Sequence, residues 1–314
     1  MYAIALNVAP IFTLILIGWL LARTGLLKSS VGDGLGEFVF KIALPVLIFR
    51  TLVEADFNGL SPFRLWGSYF FGVAVTWTTG HLIATRIFGR DATMGVIAGI
   101  SASFANNVFI GLPLVGNIVG HDGLVPLSIL LAVHLPIMMI TGTILMENAK
   151  FKLEGGTKRP VSAILRQVGR NLVTNPLVIA MASGVAVNFA ELPMTTIGST
   201  VLAQIAGIAG PAALIALGMS LTRYSISGNV GLSGVMTLLK LILMPAAVWL
   251  GAHGLGLSPT WALALVLTSC LPTGVNSWLL ATRFNTGQPL AASTITMSTA
   301  TGILSVSFWA WLLT

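Results

Sequence analysis

The stretch that decides the fold is SASFANNVFIGLPLVGNIVG, residues Ser101 to Gly120. It has the length of a membrane-spanning helix, yet it contains two adjacent asparagines, a proline and several glycines. A proline removes one backbone donor and opens the turn before it. In hydrocarbon the freed polar groups are tolerated only where they face protein or a water-filled cavity. The stretch therefore predicts a discontinuous helix, a feature with which secondary transporters hold substrate near the membrane midplane.

The composition of the chain is that of a membrane protein. Of 314 residues, 55% are hydrophobic and only 8% are charged, and the mean hydropathy is +0.93. These values lie far outside the range of soluble globular domains. Because one span needs about 20 apolar residues, the chain has room for about ten spans but not for a separate soluble domain. We expect an all-α polytopic membrane protein with a single membrane domain.

Charge and cysteine content argue against several other classes. The formal net charge is +7, but the basic residues are spread over short loops without a contiguous basic face, which indicates membrane orientation and not nucleic-acid binding. Cys270 is the only cysteine, so neither an intramolecular disulfide nor a cysteine cluster for a metal can form. Ser/His/Asp groupings and phosphate-binding loops are absent at usable spacing. We expect no cofactor, no metal and no enzymatic activity, with an intramembrane enzyme as a weak second class.

Apolar segments predict ten transmembrane helices. Residues 1–22 carry no charge before Arg23, which predicts a retained first span and not a signal peptide. The polar, basic segment 148–171 predicts a cytoplasmic loop between two five-helix halves, residues 1–147 and 172–314. The predicted helices 1 to 10 cover residues 2–22, 34–53, 64–87, 93–119, 124–147, 172–189, 196–221, 231–252, 260–283 and 289–313.

The loop charges predict the orientation. Twelve of the sixteen Lys and Arg residues fall on the side of the central basic loop, and only Arg50 and Arg64 fall on the other; Lys41 and Lys240 lie within helices. The positive-inside rule then places the central loop in the cytoplasm and both termini outside, in a bacterial inner membrane.

Two pairs of prolines indicate an internal repeat. Pro10 and Pro45, in predicted helices 1 and 2, lie 35 residues apart. Pro176 and Pro211, in predicted helices 6 and 7, have the same separation, and in each pair the first proline lies eight residues before a glycine. Because each half has an odd number of spans, the second half would enter the membrane from the opposite side. The sequence thus predicts two inverted five-helix repeats.

This pairing makes predicted helix 9 the counterpart of predicted helix 4. It reads LTSCLPTGVNSWLLATRF, residues 267–284, and is also interrupted by a proline. Two broken helices at corresponding positions predict a substrate site where they cross. The candidate substrate-binding residues are Asn106, Asn107, Gly111, Pro113, Pro272, Thr273, Gly274, Asn276 and Ser277.

These residue types suit a carboxylate. The N–H groups at the start of a half-helix carry partial positive charge, and neutral amides donate without a buried countercharge. We assign Asn106 to binding because an unsatisfied amide is costly in a membrane. For Asn117 and Asn276, an interhelical hydrogen bond is an equally good interpretation.

Three ionisable residues within predicted helices are candidates for a functional role. Lys240 would attract the anion, or else it snorkels or pairs with a backbone carbonyl. His134 and His81 are candidates for a proton relay, but a neutral histidine satisfied by a carbonyl is the commoner case and the interpretation we favour. No Asp or Glu lies in mid-helix, so a carboxylate-based proton relay is not expected.

The two broken segments resemble motifs of a known family. NNVFIGLPL, residues 106–114, resembles the Asn-x-x-x-x-Gly-x-Pro-Leu pattern of the auxin efflux carrier family, which includes plant auxin exporters and bacterial malonate and malate permeases. LPTGVNSWLLATRFN, residues 271–285, resembles the Leu-Pro-x-Gly run of that family. The resemblance extends over essentially the whole chain, although relatives of the bile acid symporters share the broken-helix architecture.

The resemblance implies a fold and a function. The fold would be ten helices in two inverted repeats, with helices 1, 2, 6 and 7 as a scaffold and the crossed helices 4 and 9 in a transport unit. A small carboxylate would bind beside the crossing and move by an elevator mechanism. Asn106 matches the family's asparagine, and Pro113 and Pro272 match its crossover prolines. Asn107 stands where plant exporters usually have threonine, which bears on the size and charge of the substrate.

The expected partners are a small carboxylate, membrane lipid, a proton or sodium as coupling ion, and a second copy in a homodimer. The alternative function is a sodium-coupled organic anion symporter of the bile acid type, with sodium sites made from carbonyls, Asn and Thr. A channel is also compatible with helices broken by Gly and Pro.

Overall fold

A computed structural model describes residues 2–56, 61–155, 160–228 and 230–313. These residues form helices joined by short connections, and their one extended pairing is an isolated β-bridge. In chain order the helices are α1 (Tyr2–Arg23), α2 (29–53, with a π-turn at Val39–Ala43), α3 (62–87, ending in a π-turn at Ile83–Ile87), α4 (Ala92–Ser103), α5 (Asn107–Ile118, beginning with a π-turn), α6 (His121–Glu154), α7 (Val161–Val173), α8 (Pro176–Phe189), α9 (Thr196–Leu221), α10 (Val230–Gly254, with a π-turn at Leu239–Leu243), α11 (Pro259–Ser269), α12 (Asn276–Arg283) and α13 (Gln288–Leu313).

The helices are those of an integral membrane protein. Over the described residues, α1, α6, α9, α10 and α13 are long and apolar enough to cross a membrane, and α7 with α8, bent by 61°, is a sixth candidate. Large apolar side chains are exposed along them, among them Leu16 and Leu304, as expected of a surface in contact with lipid. The prediction of an all-α polytopic membrane protein is confirmed.

Small residues set the closest helix crossing, between α1 and α9. A Cβ atom at Gly18 would overlap the carbonyl oxygen of Ile215, and one at Gly218 would overlap the carbonyl oxygen of Ile15. Two helices can approach this closely only where small residues meet the opposite backbone. The crossing therefore depends on both glycines.

A proline shapes α10. Pro245 has no N–H, so the carbonyl of Leu241 lacks its usual helical partner, and the helix widens into a π-turn just before the proline. The freed oxygen accepts hydrogen bonds from Ser305 Oγ at 2.6 Å and from Trp309 Nε1 at 3.2 Å. The break in the helical ladder thus joins α10 to α13.

Predicted helices 4 and 9 are both broken, and their breaks meet. The first break, residues 104–106, separates α4 from α5, and the second break, residues 270–275, separates α11 from α12. Ala105 and Thr273 form an antiparallel bridge between them. The bonds run from Asn106 N to Pro272 O at 3.0 Å and from Gly274 N to Phe104 O at 2.8 Å. Backbone groups that leave their helices therefore satisfy each other within the protein.

The first break lies earlier than Gly111 and Pro113, where the sequence pattern is richest in helix breakers. Asn106 leaves helical geometry with ψ 65° and caps the following helix, which resumes at Asn107. The π-turn Asn107–Gly111 then leads into Pro113, which lies inside α5. Pro272 lies within the second break, but Pro113 lies seven residues after Asn106 and away from the bridge.

The basic segment 148–171 is mostly helical, unlike the predicted loop. α6 continues to Glu154 because residues 148–154 contain neither Gly nor Pro, and it ends at Gly155, whose φ is +70°. α7 begins after Pro160, has one apolar face and buries Ile164. Lys158 and Arg159, two of the predicted loop charges, lie outside the described residues.

Candidate functional site

A cavity of about 500 Å³ lies beside the two breaks. Its wall combines the start of α5 and the start of α12 with faces of α2, α6, α8 and α9. The wall extends to the end of the molecule where α2 begins, α8 begins and α9 ends. Its polar side chains cluster at the breaks and at that end, and the wall between is largely apolar, as is usual for a small-molecule site.

Asn106 lines the cavity at the first break. Its side chain is buried, with 7% of the residue exposed, and Oδ1 accepts a long hydrogen bond from the N–H of Phe109 at 3.4 Å. That bond fixes the oxygen toward the helix. Within the described residues no acceptor is bonded to Nδ2, so the two donors of this amide are available to a ligand.

The start of α5 adds a positive dipole end. Val108 and Phe109, in its first turn, line the cavity with Asn107. The first N–H groups of a helix together carry about half a positive charge. Those of Asn107 and Phe109 are bonded to the Ala105 carbonyl and to Asn106 Oδ1, so the N-terminus of α5 contributes to the cavity mainly through its dipole.

Asn107, Tyr69 and His134 form a buried polar cluster next to Asn106. Their exposed fractions are 2%, 0% and 2%. Asn107 Nδ2 lies 3.3 Å from the Tyr69 hydroxyl and 3.2 Å from His134 Nδ1, and the hydroxyl lies 3.3 Å from His134 Nε2. Asn107 Oδ1 is buried without a hydrogen-bond partner among the described residues. Asn107 and His134 also line the cavity.

Sequence reasoning missed most of this cluster. His134 was expected to be satisfied by a backbone carbonyl, but its ring nitrogens contact a hydroxyl and an amide. Tyr69 was not a candidate at all. Among the described residues it is the largest fully buried side chain, and the available signal was a phenol within an apolar span, since a buried Tyr hydroxyl usually has a hydrogen-bond partner.

The predicted residues of the second break divide into two groups. Gly274 and Asn276 line the cavity. Thr273 and Ser277 direct their hydroxyls elsewhere: Thr273 Oγ1 donates to the carbonyl of Ser101 at 2.8 Å, and Ser277 Oγ donates to that of Gly274 at 2.9 Å. The hydroxyl donors expected for the substrate are therefore used to hold the breaks together.

The remaining predicted site residues, the helix breakers Gly111, Pro113 and Pro272, do not line the cavity. A Cβ atom on Gly111 would lie 3.1 Å from Leu271, and one on Gly210 of α9 would lie 3.5 Å from Pro113. A Cβ atom on Gly302 of α13 would lie 2.8 Å from Pro272. These residues support the crossing by packing.

Lys240 is fully buried in the π-turn of α10 and does not line the cavity. Its Nζ donates, at 2.5 Å, to the carbonyl of Ser269, which is the last residue of α11. The last carbonyls of a helix are unpaired and carry partial negative charge. Of the interpretations that the sequence left open, pairing with a backbone carbonyl is the one observed. Asn117 is exposed and lies off the cavity wall.

An ion pair lies at the mouth of the cavity. The guanidinium of Arg223, just after α9, lies 2.5 Å from a carboxylate oxygen of Asp33 in α2, and both side chains are about half exposed. Both residues line the cavity. Among the described residues, no group of three His, Cys, Asp or Glu could hold a metal ion.

The profile of the family described as "Membrane transport protein" matches residues 3–310, nearly the whole chain. The chain belongs to this family. It is the auxin efflux carrier family that the two broken-helix motifs resemble.

Relatives of similar length carry transporter names. A protein of Methanothermobacter thermautotrophicus named "Uncharacterized transporter" is 28% identical over 96% of both chains. The "Putative malonate transporter" of Rhizobium meliloti is 26% identical, over 96% of this chain and 92% of its own. The mouse "Lysosomal cholesterol signaling protein" is 26% identical over 57% of this chain but only 21% of its own length. The chain is thus a membrane transporter of this family.

Proposed function

We propose that this transporter is a carrier that moves a small organic anion, a mono- or dicarboxylate, across the membrane by elevator-type alternating access. The observation that carries the proposal is the cavity at the first break, where the free amide donors of Asn106 and the N-terminus of α5 face the same space. Donors of this kind bind a carboxylate without burying a fixed cation beside it.

The division of the cavity wall supports movement of one unit against another. The wall on one side comes from α2, α8 and α9, which correspond to the scaffold helices 2, 6 and 7 of the resemblance. The wall on the other side comes from α5, α6 and α12, which belong to the crossed unit. A substrate between the units is carried if the crossed unit slides along the scaffold.

Two glycine contacts support the inverted repeat and the ten-span count, with 1–147 and 172–314 as the halves and predicted helices 4 and 9 as broken spans. Gly18 of α1 faces the carbonyl of Ile215 in α9, and Gly184 of α8 faces that of Phe49 in α2. In both contacts the carbonyl lies four residues after the only proline in its helix. Equal registers at two crossings are expected if the halves are related by a two-fold axis in the membrane plane.

The orientation follows from the basic loops. With segment 148–171 in the cytoplasm and the termini outside, the cavity opens to the cytoplasm, since its mouth is where α8 begins and α9 ends. We place the carrier in a bacterial inner membrane, surrounded by lipid and with a homodimer as the predicted assembly. Cross-linking in native membranes tests the dimer.

Malonate is the first substrate to test because a relative of similar length is named for it. Purified protein in liposomes should take up labelled malonate with saturable kinetics and without chemical change. Formation of a new product, or uptake no faster than in protein-free liposomes across a panel of mono- and dicarboxylates, would contradict the proposal.

Asn106→Ala removes both free donors from the site. We expect this variant to insert normally but to lose most malonate uptake, by about tenfold or more for a hydrogen bond to a charged group. Asn117→Ala is the matched control, because Asn117 is exposed and lies off the cavity wall. Unchanged kinetics in Asn106→Ala would remove Asn106 from the site.

A sodium-coupled symporter of the bile acid type is the alternative. Such a site would use carbonyls freed at the helix breaks, but the carbonyl of Ser269 is already bonded to Lys240. We therefore expect malonate uptake to be the same with and without a sodium gradient. A clear dependence on sodium would favour the alternative.

A further inference from the structure

We propose that His134 takes up one proton when the anion binds and that the side-chain amide of Asn107 rotates by about 180° in the same event. The carrier is then a proton–anion symporter. This inference rests on the proposed anion transport. It stands on the hydrogen-bond requirements of three buried side chains, Asn107, Tyr69 and His134, and on the unpaired oxygen of one of them.

The observed arrangement fits a neutral His134. A neutral imidazole has one donor nitrogen and one acceptor nitrogen. Nδ1 lies 3.2 Å from Asn107 Nδ2 and is therefore the acceptor, which leaves Nε2–H to donate to the Tyr69 hydroxyl oxygen at 3.3 Å. Asn107 turns its nitrogen toward the ring and the hydroxyl, and its oxygen is left unpaired. This oxygen is itself buried next to the cavity wall, and an unpaired acceptor there disfavours an anion nearby.

A protonated His134 requires the opposite amide orientation. Both nitrogens of an imidazolium are donors, so Nδ1–H needs an acceptor at the position where Asn107 now presents Nδ2. Rotation of the amide by about 180° about χ2, a broad two-fold torsion, brings Oδ1 to that position. The same rotation moves the NH₂ group to the position of the unpaired oxygen. Asn107 would then carry an unpaired donor in place of the unpaired acceptor, next to the cavity wall and to Asn106.

The two binding events therefore favour each other. The anion binds better when Asn107 presents NH₂ and when an imidazolium lies behind it, and by reciprocity the bound anion favours the imidazolium. Burial supplies a reason why the charge does not form alone, because only 2% of His134 is exposed and an imidazolium there would lack solvation without an anion beside it. The proton thus enters with the anion and leaves with it.

Among the ionisable groups around the part of α6 that lines the cavity, His134 is the one that fits this role. Around it, α5, α7 and α8 add only uncharged residues to the cavity wall. Asp33 and Arg223 are already paired with each other at the mouth. The titratable or charged groups from the packed elements are Tyr69 of α3, Asp33 of α2, Arg223 and Tyr224 after α9, Lys240 of α10, Cys270 after α11 and Arg283 of α12.

Binding of labelled malonate to the purified protein, measured from about pH 5 to about pH 8, tests the linkage. If one proton is taken up, the Kd rises as the pH rises, by up to about tenfold per pH unit where free His134 is neutral. His134→Gln keeps a donor and an acceptor but cannot take a proton, so its Kd should keep only the weaker pH dependence of malonate itself. His253→Gln, at an exposed position on α10, is the matched control and should behave as wild type.

A flux measurement in liposomes uses wild-type protein, so its outcome does not depend on whether the His134→Gln variant folds. With wild-type protein, an imposed pH gradient, acid outside, should drive malonate accumulation beyond that in protein-free liposomes, and collapse of the gradient should abolish it. Malonate uptake that ignores the gradient would overturn the proton linkage while leaving anion transport intact. Equal pH profiles for wild type and a folded His134→Gln variant would also overturn it. Absence of any carboxylate uptake would instead contradict the proposed function.

Discussion

The two helix breaks look alike in sequence but present different chemistry to the cavity. At the first break, residues 104–106, the amide of Asn106 keeps its donors free and the neighbouring Asn107 has an unpaired oxygen. At the second break, residues 270–275, the hydroxyl of Thr273 is bonded to the other broken helix. The first break offers free amide donors to a ligand, whereas the second bonds the Thr273 hydroxyl within the protein and leaves Gly274 and Asn276 in the cavity wall.

Each break ends one helix and begins another, and the starts of both α5 and α12 line the cavity. The first break begins α5, so a positive helix end faces the cavity. The second break follows the end of α11, and the carbonyl of Ser269 there is bonded to the buried ammonium of Lys240. An anion site needs the first kind of end to be free, whereas the second kind, in a membrane, needs a partner. Two breaks of similar sequence can thus meet and still have unequal roles.

The sharpest way to separate the two breaks is Asn106→Asp. Aspartate keeps an oxygen that can cap the N–H of Phe109, but it removes both donors and adds a negative charge beside the anion. We expect the Kd for malonate to rise about 100-fold, from the loss of a hydrogen bond to a charged group plus repulsion. Equilibrium binding to purified protein measures it.

Asn117→Asp is the control for added charge, because Asn117 is exposed. A Kd for Asn106→Asp within about threefold of wild type, a difference well below 1 kcal/mol, would show that Asn106 only caps α5. The elution volume of each variant on a sizing column checks that its fold is retained.

Lys240→Met tests the second break and should affect stability, not binding. Methionine fills a similar volume but leaves the Ser269 carbonyl without a donor at the end of α11. An unsatisfied buried acceptor costs about 1–3 kcal/mol, so we expect the free energy of unfolding to fall by about 2 kcal/mol, with the Kd for malonate little changed. Thermal unfolding in detergent compares it with wild type.

Lys41→Met is the matched control. Lys41 also lies in a π-turn that precedes a proline, but it is exposed and its ion pair with Glu37 is exposed as well. Its loss should change stability little, since exposed ion pairs contribute little. Unchanged or increased stability in Lys240→Met would mean that the desolvation free energy of the buried ammonium is at least as large as the stabilisation from its hydrogen bond to Ser269.

Much of the fold was readable from the sequence because membrane hydropathy and helix breakers are local signals. The two broken helices were predicted from Pro, Gly and Asn, and the structure has breaks in both. The position of the first break was harder to predict, because the π-turn Asn107–Gly111 allows Pro113 to lie within a helix. A proline alone does not determine where its helix breaks.

The site was only partly readable, because partners distant in sequence decide which polar groups remain free. Asn106 and Asn276 were predicted and line the cavity, whereas Thr273 and Ser277 are bonded within the protein. Tyr69 becomes part of the site only because α3 brings it to a break 38 residues along the chain. Such pairings depend on packing, and no pattern within one helix specifies them.

Thr273→Val gives the smallest expected effect and tests whether the second break is only structural. Valine matches threonine in shape but leaves the carbonyl of Ser101 without the hydroxyl donor that lies 2.8 Å away. The free energy of unfolding should fall by about 1 kcal/mol, the usual net value of one such bond. Thr301→Val is the control, since its hydroxyl bonds only within its own helix and is exposed. The Kd for malonate should stay the same in both variants, because neither hydroxyl faces the cavity. A Kd raised tenfold in Thr273→Val alone would show that the second break also holds the anion, and the contrast between the two breaks would then be wrong.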